Sequence, residues 1–98
     1  MSHRIEVEYC PRCHWLLRAA WYAQELLSTF ENELEAVTLK PAGSGVFRIT
    51  LNGEVLADRA RDHGFPEIPL LKQAVRDRVA PARDLGHIDR KHDETGKK

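Results

Sequence analysis

Ten residues into the chain, Cys10-Pro11-Arg12-Cys13 falls where the apolar period changes. Before it, Ile5, Val7 and Tyr9 alternate with Arg4, Glu6 and Glu8, the period of two expected of a strand with one buried face. After it, Cys13, Leu16, Leu17, Ala20, Ala23, Leu27 and Phe30 recur at helical spacing. This predicts an amphipathic helix to about residue 31, with Trp15, Trp21 and Tyr22 on its flanks. Pro11 suits the first position of that helix, where its missing N–H costs nothing. Residues 34–40 predict a second short strand. Strand, helix and strand over about 35 residues make a βαβ unit, whose crossover is nearly always right-handed.

The remainder extends the sheet. Pro41-Ala42-Gly43-Ser44-Gly45 reads as a loop, and its glycines lack the lysine and spacing of a phosphate loop. Phe47, Ile49 and Leu51 alternate, Asn52-Gly53 follows, and Glu54-Val55-Leu56-Ala57-Asp58 resumes. Asn-Gly between two such runs signals a hairpin, because a type I′ turn needs positive φ at both central positions. Gly64-Phe65-Pro66-Glu67 restarts the chain as a helix. Its buried stripe is Ile68, Leu71, Val75 and Val79, with Lys72, Arg76 and Asp77 toward water. Pro69 must fall in its first turn. The predicted order is βαβββα, an α/β sandwich with a mixed four-stranded sheet and two helices. Residues 1–82 form the domain and 83–98 a C-terminal extension, expected to be disordered from about residue 90, where little apolar remains to bury. His87 and Asp89 read as polar tail residues without a partner.

Composition narrows what such a domain binds. The 98 residues carry 15 Lys plus Arg against 15 Asp plus Glu, a formal net charge of zero. A general nucleic-acid binder shows a basic excess, so nucleic acid is not an expected partner. No apolar run approaches the roughly 18 residues of a membrane span. The first eight residues hold no apolar signal core. The expectation is a cytoplasmic protein that binds neither nucleic acid nor membrane. An exposed edge strand would support a homodimer without requiring one.

Two cysteines do not make a disulfide framework, and in a cytoplasmic chain their CxxC spacing points to redox or metal chemistry. At a helix start, free N–H groups and a partial positive charge stabilise a thiolate. They lower a thiol pKa from about 8.5 toward 7 or below. Two intervening residues put both sulfurs on one turn, close enough to pair. One cysteine attacks and the other resolves the mixed disulfide. Helix geometry makes Cys10 the exposed cap and expected attacker, with Cys13 facing inward as resolver. Arg12 adds a cation that favours a thiolate or an acidic thiol such as glutathione. Trp15 is a candidate partner surface beside the thiols.

Three other readings stand beside this one. Cys10 to His14 matches the CxxCH haem-attachment motif, but Met1 is the only methionine, and a hairpin-bearing sheet suits a small cytochrome poorly. CxxC is also half of a zinc site; His3, His14, His63, His87 and His92 are available, without the paired spacing of a finger. The cysteines could instead be inert residues of a small interaction module. The redox reading uses the whole placement of the motif and asks for no metal or resident cofactor, only a small thiol or protein thiol as partner.

Longer stretches carry a likeness. Tyr9-Cys10-x-x-Cys13-x-Trp15, Gln24-Glu25-Leu26-Leu27, Gly64-Phe65-Pro66-Glu67, Leu71-Lys72-Gln73-x-Val75-Arg76-Asp77 and Leu85-Gly86-His87-x-Asp89 resemble the selenoprotein W/T/H family, also called Rdx, and especially its bacterial members. The likeness covers about residues 4–89. It implies a thioredoxin-like fold and a thiol-disulfide oxidoreductase or redox-responsive role, often linked to glutathione. In many animal members the second motif position is selenocysteine. Carried over, that position is Cys13; if the selenium position is the attacker, the resemblance implies that Cys13 rather than Cys10 is the more reactive thiol. The chain departs from the bacterial pattern at Ala57-Asp58-Arg59-Ala60 and at Gly45-Val46-Phe47-Arg48, both assigned to the hairpin.

Overall fold

A computed structural model describes residues 2–89 of the chain, so the expected disorder from about residue 90 lies outside the described residues. The elements are β1 (Arg4–Tyr9), a 3-10 turn (Pro11–Cys13), α1 (Leu16–Thr29), β2 (Ala36–Pro41), β3 (Phe47–Leu51), β4 (Glu54–Asp58), α2 (Arg59–Asp62) and α3 (Ile68–Val79). The sheet runs β2-β1-β3-β4, with β2 parallel to β1 and the other neighbours antiparallel. This is the mixed, four-stranded α/β arrangement of thioredoxin-like type that the sequence predicts. The two long helices, α1 and α3, are the predicted pair; the 3-10 turn and α2 are shorter helical pieces in addition.

One face of the sheet makes the core. Ile5, Val7 and Tyr9 of β1 and Phe47, Ile49 and Leu51 of β3 are all buried on it. Ala19, Tyr22, Leu26 and Phe30, from α1 and its end, cover it together with Leu71 and Val75 of α3. Each large apolar side chain so buried contributes roughly 1.5–3 kcal/mol. Among the described residues, the opposite face has charges instead of a second helical layer. Arg48 reaches Asp58 at 3.0 Å and Glu8 at 3.3 Å, and Lys40 lies 3.9 Å from Glu6. Cross-strand pairs of opposite sign stabilise such a face modestly.

The hairpin turns as predicted, with φ of 50° at Asn52 and 89° at Gly53. Asn52 Oδ1 also accepts from the Arg4 N–H at 2.8 Å, tying the turn to the start of β1. Opposite it, Ile49 pairs with Ala57 and Thr50 with Val55, so Leu56 is the extra residue of a β-bulge.

Several expectations need correction. The first helix does not run from Cys13. The 3-10 turn ends at His14 in left-handed conformation (φ 61°), and α1 starts at Leu16. Its buried residues are Ala19, Tyr22, Ala23 and Leu26, not Leu16, Leu17 and Leu27; Leu17 is 84% exposed. Two phases of the same period fit this sequence, and packing selects the one whose small Ala19 and Ala23 let the helix approach the sheet. Residues 64–67 are not helical but lead into α3, where Pro69 sits in the first turn as required. The unpredicted α2 is started by Asp58, whose Oδ1 accepts from the Ala60 and Arg61 N–H groups at 3.0 and 3.4 Å.

Lys72 and Arg76 do not face water. Lys72 Nζ meets Glu25 at 2.9 Å, and Arg76 meets Asp89 at 2.8 Å. Asp89 is far from partnerless, since it also accepts from Gln73 Nε2 and from the Leu85 N–H, each at 2.9 Å. It fastens the segment after α3 back onto that helix.

Candidate functional site

Topology brings three loops to one end of the sheet. β1 and β2 are parallel, so the segments that follow them leave at the same end. β3 starts and β4 finishes there too, which adds the chain from Arg59 to Glu67. Cys10 follows β1 in extended conformation, and Pro11 opens the 3-10 turn. The His14 N–H closes it on the Pro11 carbonyl at 3.1 Å.

Cys10 is buried, 1% exposed, and Cys13 is half-buried. This reverses the exposure expected from a continuous helix. Because the turn is 3-10 and stops before α1, Cys10 stays under the sheet end and Cys13 lies on the outer side. Both are free thiols, and the Cys13 thiol donates to Cys10 Sγ at 2.7 Å.

That hydrogen bond dominates the electrostatics. It lowers the Cys10 pKa; burial opposes this, while backbone N–H groups of Gly45, Cys13 and Arg12 support it. Cys13, as the donor, has its pKa raised, and burial raises it further, against the Gly45 N–H and the positive charge of Arg59. Acidity and access therefore fall on different sulfurs. The inner sulfur is the better place for negative charge, and the outer one holds the proton and meets the surroundings. An incoming sulfur reaches Cys13 first, because Cys10 has almost no surface to offer.

An aromatic cluster lies beside the thiols. Trp15 meets Phe65 and Phe47 edge-on, with centroids at 5.1 and 6.2 Å, and Phe47 meets Phe65 at 5.1 Å and Tyr22 at 5.7 Å. The Tyr22 hydroxyl donates to the Pro66 carbonyl, holding the Phe65–Pro66 loop against α1. The Arg59 guanidinium sits 5.0 Å from the Trp15 ring, and that of Arg18 4.0 Å from Phe65. An open groove of about 370 Å³ continues from the turn along α1, lined by His14, Trp15, Leu17, Arg18 and Trp21.

Of the residues singled out from sequence, Cys10 and Cys13 come together and Trp15 lies beside them, packed on the core as well as on the rim. Arg12 is exposed in the turn, and what it gives Cys10 is its backbone N–H. Gly45, Arg59 and Phe65 were not foreseen. Gly45 has φ +74°, and the parallel pairing of β1 with β2 is the signal that would have placed its loop beside Cys10. Among the described residues, no three or more His, Cys, Asp or Glu side chains gather to hold a metal, and no helix is long and apolar enough to cross a membrane.

Comparison with known proteins agrees with this architecture. The Rdx family model matches residues 4–77. The chain is similar to a protein of known crystal structure from Bordetella parapertussis, at 58% identity and a TM-score of 0.76, over 79% of this chain and 98% of the other. It is similar also to a selenoprotein W-related protein from Vibrio cholerae, at 47% identity and a TM-score of 0.78, over 81% and 99% of the two chains. No curated protein matches it. The matched span takes in the thiol turn, the whole sheet and most of α3, and both relatives align over nearly their full length: the chain belongs to the Rdx family.

Proposed function

We propose that the chain is a thiol-disulfide oxidoreductase, or a redox-responsive protein of the same chemistry, that cycles Cys10 and Cys13 between dithiol and disulfide. The observation that carries this reading is the asymmetry of the pair. One sulfur is buried and favours negative charge, the other is half-exposed, and the two are in direct hydrogen-bond contact. Cys13 is the attacking sulfur in this reading. Once Cys10 has lost its proton to solvent, the Cys13 proton passes to the Cys10 thiolate along the S–H···S contact, and the Cys13 thiolate so formed opens the partner's disulfide, whose other sulfur departs as a thiolate. Cys10, once deprotonated, closes on Cys13 and releases the partner's second sulfur. The partner is a small thiol such as glutathione, or a protein thiol, and the setting is the cytoplasm. Arg12 and Trp15 border the approach to Cys13.

The test is equilibration in glutathione buffers, with free thiols counted by alkylation and mass. A single two-electron transition between about −180 and −300 mV is expected. Cys10→Ser should accumulate a mixed disulfide at Cys13, while Cys13→Ser should form one far more slowly. Two thiols that titrate independently would overturn the reading.

A further inference from the structure

The cations of this protein are unevenly engaged. Among the described residues, every lysine and arginine is in an ion pair with a carboxylate except three. Of those three, Arg12 and Arg59 stand beside the thiols, and Arg18 lines the groove that leads away from them. Arg18 and Arg59 lie against the rings of Phe65 and Trp15, which hold the guanidinium groups in place without cancelling their charge. Against them, the loop 64–67 offers one carboxylate, Glu67.

Apolar surface is left open at the same place. Leu17 is 84% exposed and Trp21 46%, one helical turn apart on α1, with the groove between them. Contiguous apolar surface beside unneutralised charge marks an interaction site. A small thiol has no side chain to cover Leu17 and Trp21. A second copy of the chain would bring carboxylates that are mostly committed to its own ion pairs. The face suits an extended segment that carries both acidic and apolar side chains.

We infer that the Arg12–Arg18–Arg59 rim and the Leu17/Trp21 groove dock a protein substrate whose disulfide is flanked by acidic and apolar residues. The inference rests on the dithiol reading and names the substrate class for it. Cys13 forms a bond to one substrate sulfur, the substrate S–S bond breaks, and its electron pair leaves on the other sulfur, which takes a proton. Cys10 then bonds to Cys13 and frees the docked sulfur as a second thiol. Two substrate sulfurs are reduced and two protein sulfurs oxidised.

The experiment uses Cys10→Ser, in which each reaction stops at the mixed disulfide. The probes are a short peptide with one cysteine activated as its 2-pyridyl disulfide and flanked by Glu and Leu, the same peptide with Lys for Glu, and neutral 2,2′-dipyridyl disulfide. Release of pyridine-2-thione gives the rates. At low ionic strength the acidic peptide should react about tenfold or more faster than the basic one, and the advantage should shrink at about 0.5 M salt. Arg18→Glu should cancel or invert that ratio, and Leu17→Ser should slow both peptides relative to the neutral disulfide. Equal peptide rates alongside a reactive neutral disulfide would overturn the docking inference alone. No reaction with any probe, in Cys10→Ser and in the unsubstituted chain alike, would overturn the dithiol reading, and this inference with it. Peptide rates that fall as a dimer forms would assign the face to a second copy and overturn the inference as well.

Discussion

Phe47 is where the sheet supports the thiol turn. It opens β3 opposite Tyr9, the residue before Cys10, and is 1% exposed. Its ring meets those of Trp15, Tyr22 and Phe65. Phe47→Leu keeps a large apolar side chain in place while removing the three ring contacts, each worth about 0.5–1.5 kcal/mol beyond the area buried. Relaxation around the leucine recovers part of this, so a net loss of about 2 kcal/mol is expected. In a domain of this size that lowers Tm by about 8–16 °C. Urea and thermal unfolding of the reduced protein, followed by circular dichroism, give the value, with an unchanged m-value confirming that stability alone has moved. Iodoacetamide labelling under native conditions adds a local readout. Trp15 and Phe65 lose the ring beneath them, so Cys13 should alkylate faster. A loss below about 0.5 kcal/mol would refute the reasoning, because the cluster would then contribute no more than an ordinary surface contact.

Three further outcomes are expected. Gly45→Ala and Gly53→Val each force a side chain onto backbone with φ above +70°, at a cost of about 1–2 kcal/mol measured by thermal melts. Only Gly45→Ala should also slow thiol labelling, since its N–H serves both sulfurs. Acid should destabilise the fold: the hydrogen bond from Arg61 holds Asp62 at about 2, the one from Arg76 lowers Asp89, and Glu35, Glu54 and Asp58 are lowered by Arg4, Arg78 and Arg48. Folded pKa values below the unfolded ones mean stability that is present above about pH 4 and lost as pH falls toward 2. Tm should therefore drop steadily from pH 4.5 to 2.5, and a flat profile would mean the ion pairs contribute nothing measurable. Asp89→Asn should release the segment after α3, making trypsin cleavage at Arg83 several-fold faster with little change in the main melt; cleavage at the wild-type rate would contradict the fastening role.

The sheet was legible because its signals are local. Alternation in residues 4–9 and 47–51 and the Asn52-Gly53 turn need no knowledge of the rest of the chain. The phase of α1 was not, because choosing between leucines and alanines for the buried side depends on how closely the helix approaches the sheet. Which cysteine lies outside depended on the same point, since it turns on where the 3-10 turn ends. The ion pair of Arg76 with Asp89 joins a helix to the segment after it; amphipathic periodicity puts Arg76 toward solvent, and Asp89 by itself reads as a polar tail residue. The CxxC pair was legible as a motif; Gly45 and Arg59 became neighbours of it only through strand order. Arg59 belongs to a stretch that departs from the family pattern, and it stands at the edge of the site rather than in the hairpin.

His14 gives the thiol turn a joint of its own. The i→i−4 ladder of α1 begins beyond it, with the Ala19 N–H on the Trp15 carbonyl, so the backbone around the two cysteines is coupled to the helix only through rotations at residues 13–15. A CxxC inside an unbroken helix would pass every opening and closing of the sulfurs into that ladder. Here the turn that carries the thiols and the helix that follows are separate backbone units, joined at His14. A substitution at the turn's outer position, Cys13, is therefore expected to leave the hydrogen-bond ladder of α1 as it is.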